Sequence, residues 1–225
     1  MPPMLLLNIC HAWTDIALST LALWAAIDVV LPCAKRLNEV LAIWFHRARN
    51  HPLAISLQGD FDAEGFHALA EFIWQHGHQM KHLKIRVGNG DGNDAEVDVF
   101  GTLIPGPLPL LETVTIRGLI HERALHGPPI LDLLRLAPNL VECILDEVVP
   151  VWNLNLTSKK LVLPNLRRLM FGLRTQNPDS DDDLLRCLSL PGLEVLSLSG
   201  RHVSGYNLFR FFGEVIAAPP RAGSG

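Results

Sequence analysis

One phrase recurs along the chain: Pro-x-Leu-x-x-Leu-x-Leu, with tolerant substitutions. It reads PLLETVTI from Pro109, PNLVECIL from Pro138, PNLRRLMF from Pro164 and PGLEVLSL from Pro191. A weaker copy, QMKHLKI, puts Met80, Leu83 and Ile85 at the apolar positions. The leading apolar residues are Met80, Leu111, Leu140, Leu166 and Leu193, at spacings of 31, 29, 26 and 27 residues. A near-constant period of this size means stacked supersecondary units, each too small to bury a core alone.

The period sits at and just above that of leucine-rich repeats, about 20–29 residues. In the Leu-x-Leu part, alternation sends two apolar side chains to one face and their neighbours to the other. The earlier Leu lies in the turn that feeds the strand. Between phrases run amphipathic segments. Residues 64–76 carry Phe66, Leu69, Ala70, Ile73 and Trp74 at helical spacing. Similar stretches cover 129–136, 207–216 and 179–188, the last opening on acids suited to a helix start. Strand and helix in alternation predict parallel strands joined by crossovers. The fold class expected is α/β, an irregular leucine-rich-repeat solenoid with a parallel sheet on the concave face and helices outside. The first strand is expected at 53–57 (LAISL), for about six strands. Asn usually stands three residues after the last Leu of such a repeat. Here those positions hold Gly88, Leu119, Val148, Arg174 and Arg201, so no buried Asn ladder is expected there.

Composition narrows the class. Forty residues are Leu, 48% are hydrophobic and 19% charged, which excludes a disordered chain. A net charge of −4 gives no footprint for nucleic acid. Cys10, Cys33, Cys143 and Cys187 form no CxxC pair and read as reduced thiols of an intracellular, cytoplasmic or nuclear protein. The uncharged run 16–27 is too short to span a membrane, which takes about 20 apolar residues. The sequon at Asn155 is then a chance match.

Catalytic signatures are absent: no G-x-S-x-G, Walker A, H-E-x-x-H or G-x-G-x-x-G occurs, and no enzyme activity is expected. His76, His78 and His82 form the densest candidate metal set, but a helix end followed by a turn is the simpler reading of HGHQMKH. Neither metal nor cofactor is expected. Residues 88–98 (GNGDGNDAEVD) lack the calcium-loop register and read as a surface loop. Asp179, Asp181, Asp182 and Asp183 read as a solvated helix start. Of Trp13, Trp24, Trp44, Trp74 and Trp152, four read as core. Cys143 occupies a core-facing strand position and reads as a packing residue.

The N-terminal piece carries a second pattern. Ile9-Cys10-His11-Ala12-Trp13-Thr14-Asp15-Ile16-Ala17-Leu18-Ser19-Thr20, followed by Leu23-Trp24, resembles the second half of an F-box, whose pattern there is C-x-x-W-x-x-I-A-L-x-T-P-x-LW. The continuation into LNEVLAIWFHRARNHPLAISL, APNLVEC and LPNLRRL is similar to the large fungal F-box/leucine-rich-repeat family. Leu21 stands where the family has Pro. The first F-box half, with its Leu-Pro-x-Glu-Ile-Leu helix start, is not in the 225 residues, so a fragment or shortened chain is expected. The resemblance implies a non-catalytic subunit that receives substrates for an SCF-type ubiquitin ligase. Its partners would be a target protein and, through Trp13, Ile16, Leu18, Leu23 and Trp24, the ligase's adaptor subunit. The alternative is a free-standing leucine-rich-repeat scaffold without ubiquitin function. The expected organisation is a partial F-box-like segment over 1–28, a solenoid with an N-terminal capping helix over 29–218, and a disordered tail over 219–225. Trp44 and Phe45 of that helix are expected to bury against the first strand.

Strand alternation also locates a binding surface. The residues flanking the inward positions are Ser56 and Gln58, Lys84 and Arg86, Thr115 and Arg117, then Ile144 and Asp146 after Glu142. Met170, Ser197 and Ser199 complete the set. Arg86 and Arg117 should lie on adjacent strands, about 5 Å apart. Like charges that close call for an opposing acid, so the expected partner carries an acidic or phosphorylated segment.

Overall fold

A computed structural model describes residues 3–31, 37–59, 63–87, 106–117, 127–146, 160–172 and 187–199. Its strands are β1 (Ala26–Leu31), β2 (Leu53–Gly59), β3 (Met80–Val87), β4 (Thr113–Arg117), β5 (Glu142–Asp146), β6 (Leu161–Val162), β7 (Arg168–Gly172), β8 (Leu188–Ser189) and β9 (Val195–Ser199). The helices are α1 (Pro3–Leu6), α2 (His11–Ser19), α3 (Leu37–Ala48), α4 (Ala63–Gln75) and α5 (Gly127–Leu136). Seven strands pair in the order β1-β2-β3-β4-β5-β7-β9, every neighbour parallel. The chain is thus a mixed α/β fold whose multi-stranded parallel sheet is flanked by helices. Parallel neighbours need a crossover, and α3, α4 and α5 provide it between β1 and β2, β2 and β3, and β4 and β5.

The sequence spacing is the strand register. Leu83, Val114, Cys143, Leu169 and Leu196 stand side by side in the sheet, separated by the same 31, 29, 26 and 27 residues as the phrase. Stepping the other way, Leu83 faces Ile55 and Ile55 faces Ile27, 28 residues at each step. The first strand is therefore β1, not the 53–57 segment, and among the described residues the sheet has seven strands where about six were expected. Ile27, Asp28 and Val29 alternate apolar, polar, apolar, and β-branched residues favour the extended chain. β1 runs across residues 28 and 29, so the F-box-like segment leads into the sheet without a break. Helix α3 is correspondingly the crossover behind β1 and β2. Its Leu41, Phe45 and Ala48 are buried at i, i+4 and i+7, while Trp44 is only half-buried.

One core runs the length of the sheet. It gathers Trp24, Ile27 and Val29 at one end, Val114, Ile116, Leu131 and Leu134 in the middle, and Leu163, Leu169, Leu188 and Leu190 at the other. Cys143 belongs to it, and burial pushes its thiol up to about 12, so it stays protonated and unreactive at neutral pH.

The Pro of each phrase shapes a turn. The amides of Leu111, Leu140, Leu166 and Leu193 donate to the carbonyls of Leu108, Ala137, Leu163 and Leu190, at 3.2, 3.2, 3.4 and 3.2 Å. Pro, with its fixed φ, occupies the second position of each turn, where it is favoured. The next residue stitches neighbouring turns. Asn139 Nδ2 donates to the Pro109 carbonyl at 2.8 Å, and Asn165 Nδ2 to the Pro138 carbonyl at 3.5 Å and to Asn139 Oδ1 at 3.2 Å. Two asparagines do ladder in this chain, at the turns that enter β5 and β7. The positions considered for a ladder beyond the strands lie outside the described residues. In the last turn Gly192 takes the Asn place, and a Cβ there would lie 2.7 Å from the Pro164 carbonyl oxygen. Gly192→Asn should therefore cost about 1–3 kcal/mol although it restores the repeat pattern. Urea unfolding checks this, and an unshifted midpoint would show that the turn yields freely.

Behind the last repeats the chain departs from expectation. Leu188, read as the end of a helix over 179–188, instead begins β8, in which Leu188 and Ser189 pair parallel with Leu161 and Val162 of β6. The buried Leu163, Leu188 and Leu190 make this short strand pair part of the core. The rest of that segment, its acidic run, the 88–98 insert, Trp152, the sequon at Asn155, the 207–216 stretch and the 219–225 tail lie outside the described residues.

Candidate binding face of the sheet

On the sheet face away from α3, α4 and α5, the register draws three rows of side chains. The first runs Ala26, Ala54, His82, Thr113, Glu142, Arg168 and Val195; the second Asp28, Ser56, Lys84, Thr115, Ile144, Met170 and Ser197. The third runs Val30, Gln58, Arg86, Arg117, Asp146, Gly172 and Ser199. Wherever side chains of these rows are described they are half-buried or exposed, so the face is open among the described residues. All the positions expected on this surface fall in the rows.

Arg86 and Arg117 stand directly opposite each other. An acid inside the chain already answers one of them: Arg117 Nε lies 3.9 Å from Asp146 Oδ2 on β5. Lys84 and Arg86 pair with no carboxylate among the described residues. Charge on the face is therefore sorted by strand. Cations occupy β3 and β4, Glu142 and Asp146 flank Ile144 on β5, and Met170 and Val195 carry the apolar surface on to β7 and β9, broken by Arg168.

Sequence reading missed a polar contact on this face. His82 Nδ1 and the Thr113 hydroxyl are 2.8 Å apart in the first row. The spacing of 31 that aligns β3 with β4 was the signal, since it sets His82 beside Thr113. This contact parts the three histidines. His76, at the end of α4, packs its ring on Phe45 and Phe72 at 4.5 and 5.2 Å and places Nδ1 3.0 Å from the Phe72 carbonyl. His78 is exposed on the following turn beside Gln79. No three potential metal ligands converge among the described residues.

The F-box-like residues divide between core and surface. Trp24 is 1% exposed, and its Nε1 donates to the Ala17 carbonyl at 2.7 Å, tying α2 to the start of β1. Trp44 meets it edge-on at 5.3 Å, and the Arg47 guanidinium lies 5.2 Å from its ring centroid. Leu23 is half-buried. Trp13, expected in the core, is 45% exposed, and Ile16 and Leu18 are exposed too. Helix α2 buries only the small Ala17. Trp13 and Ile16, three apart on α2, stand in water, and Ile9, Met4 and Leu5 are exposed ahead of that helix.

No family model matches the chain, and no curated protein or solved structure matches it significantly. Among the described residues, no helix is long and apolar enough to cross a membrane.

Proposed function

We propose that the chain is a non-catalytic protein-binding subunit: an irregular leucine-rich-repeat solenoid whose concave face holds a target protein. Its F-box-like segment docks on the adaptor of an SCF-type ubiquitin ligase, and it works in the cytoplasm or nucleus without cofactor or metal. The observation that carries this reading is the pairing of two unlike surfaces on one core. An open face of in-register polar rows suits a polar partner segment, because side chains held at fixed strand spacing are pre-organised. At the N-terminal end, the exposed Trp13 and Ile16 of α2 offer the apolar anchors that a helical partner buries. Buried Trp24 links α2 to the sheet through its Nε1 bond to the Ala17 carbonyl.

Pull-down with the adaptor subunit tests the reading. The 225-residue chain should capture it, and Trp13→Ala with Ile16→Glu should weaken capture by about thirtyfold or more, as a lost aromatic hot spot does. Both side chains are exposed, so folding should not change. A chain that captures no adaptor yet still binds a target would be a free-standing repeat scaffold.

A further inference from the structure

The layout of the open face narrows the chemistry of what it reads. Lys84 and Arg86 project from the same face of β3, about 7 Å apart, and Arg117 stands about 5 Å from Arg86 on β4. Ser56, Gln58 and Thr115 surround them as hydrogen-bond donors in the same rows. One step further, β5 presents Glu142 and Asp146, and Asp146 already leans on Arg117. A run of carboxylates laid across the strands would gain at β3 and β4 and be repelled at β5. A single compact dianion placed over Arg86 and Lys84 would gain without that penalty, and three phosphate oxygens can take several of these donors at once. Beyond the acids, on β7, Met170 is 40% exposed, next to the half-buried Ile144 that stands between the two acids on β5.

Resting on the reading of this face as the partner surface, we propose that it recognises a phosphorylated peptide segment by two points: the phosphate on Lys84, Arg86 and Arg117, and an apolar side chain on Met170 of β7. Strand spacing sets the distance between them. From midway between β3 and β4 to β7 is two and a half strand intervals, about 12 Å. An extended peptide advances about 3.3 Å per residue, so the apolar residue lies three to four positions from the phosphorylated one. The segment runs across the strands, and Glu142 and Asp146 exclude acids between the two points.

The full chain should be presented with a synthetic peptide library carrying one fixed phosphothreonine and randomised flanks. Leu, Ile, Met or Val should be enriched three to four positions from the phosphate, on one side, with Asp and Glu depleted between. A peptide so selected should bind about tenfold or more tighter than its unphosphorylated form, the scale of a charge-assisted contact. Arg86→Ala should abolish that difference. Met170→Asp should erase the apolar preference and keep the phosphate preference. Both residues are exposed, and an unchanged circular dichroism spectrum confirms that each variant folds. Peptides selected without phosphate dependence, or with no apolar enrichment at that spacing, overturn the proposal. If adaptor capture survives that result, the subunit reading stands and only the two-point rule fails; loss of both removes the reading as well.

Discussion

Trp24→Ala should cost about 3–5 kcal/mol, the range for truncating a fully buried tryptophan. The loss has three parts. The indole is 1% exposed and belongs to the core shared with Ile27 and Val29. It holds α2 through the Nε1 bond to the Ala17 carbonyl, and it is the surface against which Trp44 and Arg47 pack. Removing it leaves a buried carbonyl without its donor and opens a cavity where three elements meet. Trp44→Ala should cost clearly less, because Trp44 is half-buried. Thermal unfolding followed by circular dichroism ranks the two. Equal losses would mean that Trp24 is no more central than its neighbour.

Leu140→Ala should cost about 2–5 kcal/mol, and Leu193→Ala markedly less, although both fill the same place in the phrase. Leu140 is 0% exposed between the turns at Leu111 and Leu166, while Leu193 is half-buried. In a stacked array each unit is stabilised by its two neighbours, so interior anchors carry more than outer ones. Urea midpoints for the two variants give the comparison directly. Equal shifts would argue for one undivided core in place of coupled units.

Most of this architecture was legible because the repeat period and the strand register are one quantity. Met80, Leu111, Leu140 and Leu166 could be read as anchors from spacing alone, and all four are buried. The period of 29 also aligns Arg117 with Asp146, so their ion pair is legible in the spacing just as the like-charged Arg86 is. β1 escaped because no Pro-x-Leu turn leads into it. Trp24 stands three residues before Ile27, as Leu111 does before Val114, and an indole in a leucine place breaks the pattern. The exposure of Trp13 was not legible either. Helical spacing puts Leu6, Ile9, Cys10, Trp13 and Ala17 on one face of a single helix, but the chain turns at 7–9 and extends at Cys10, so α1 and α2 are separate and share no such face. Leu6 and Ala17 are buried, and the residues between them are not.

The short strand pair ties the last two described repeats together twice. β7 and β9 share a ladder in the main sheet, and β6 and β8, which lead into them, share a second. Opening either repeat breaks both ladders, so the two open as one cooperative unit instead of fraying singly.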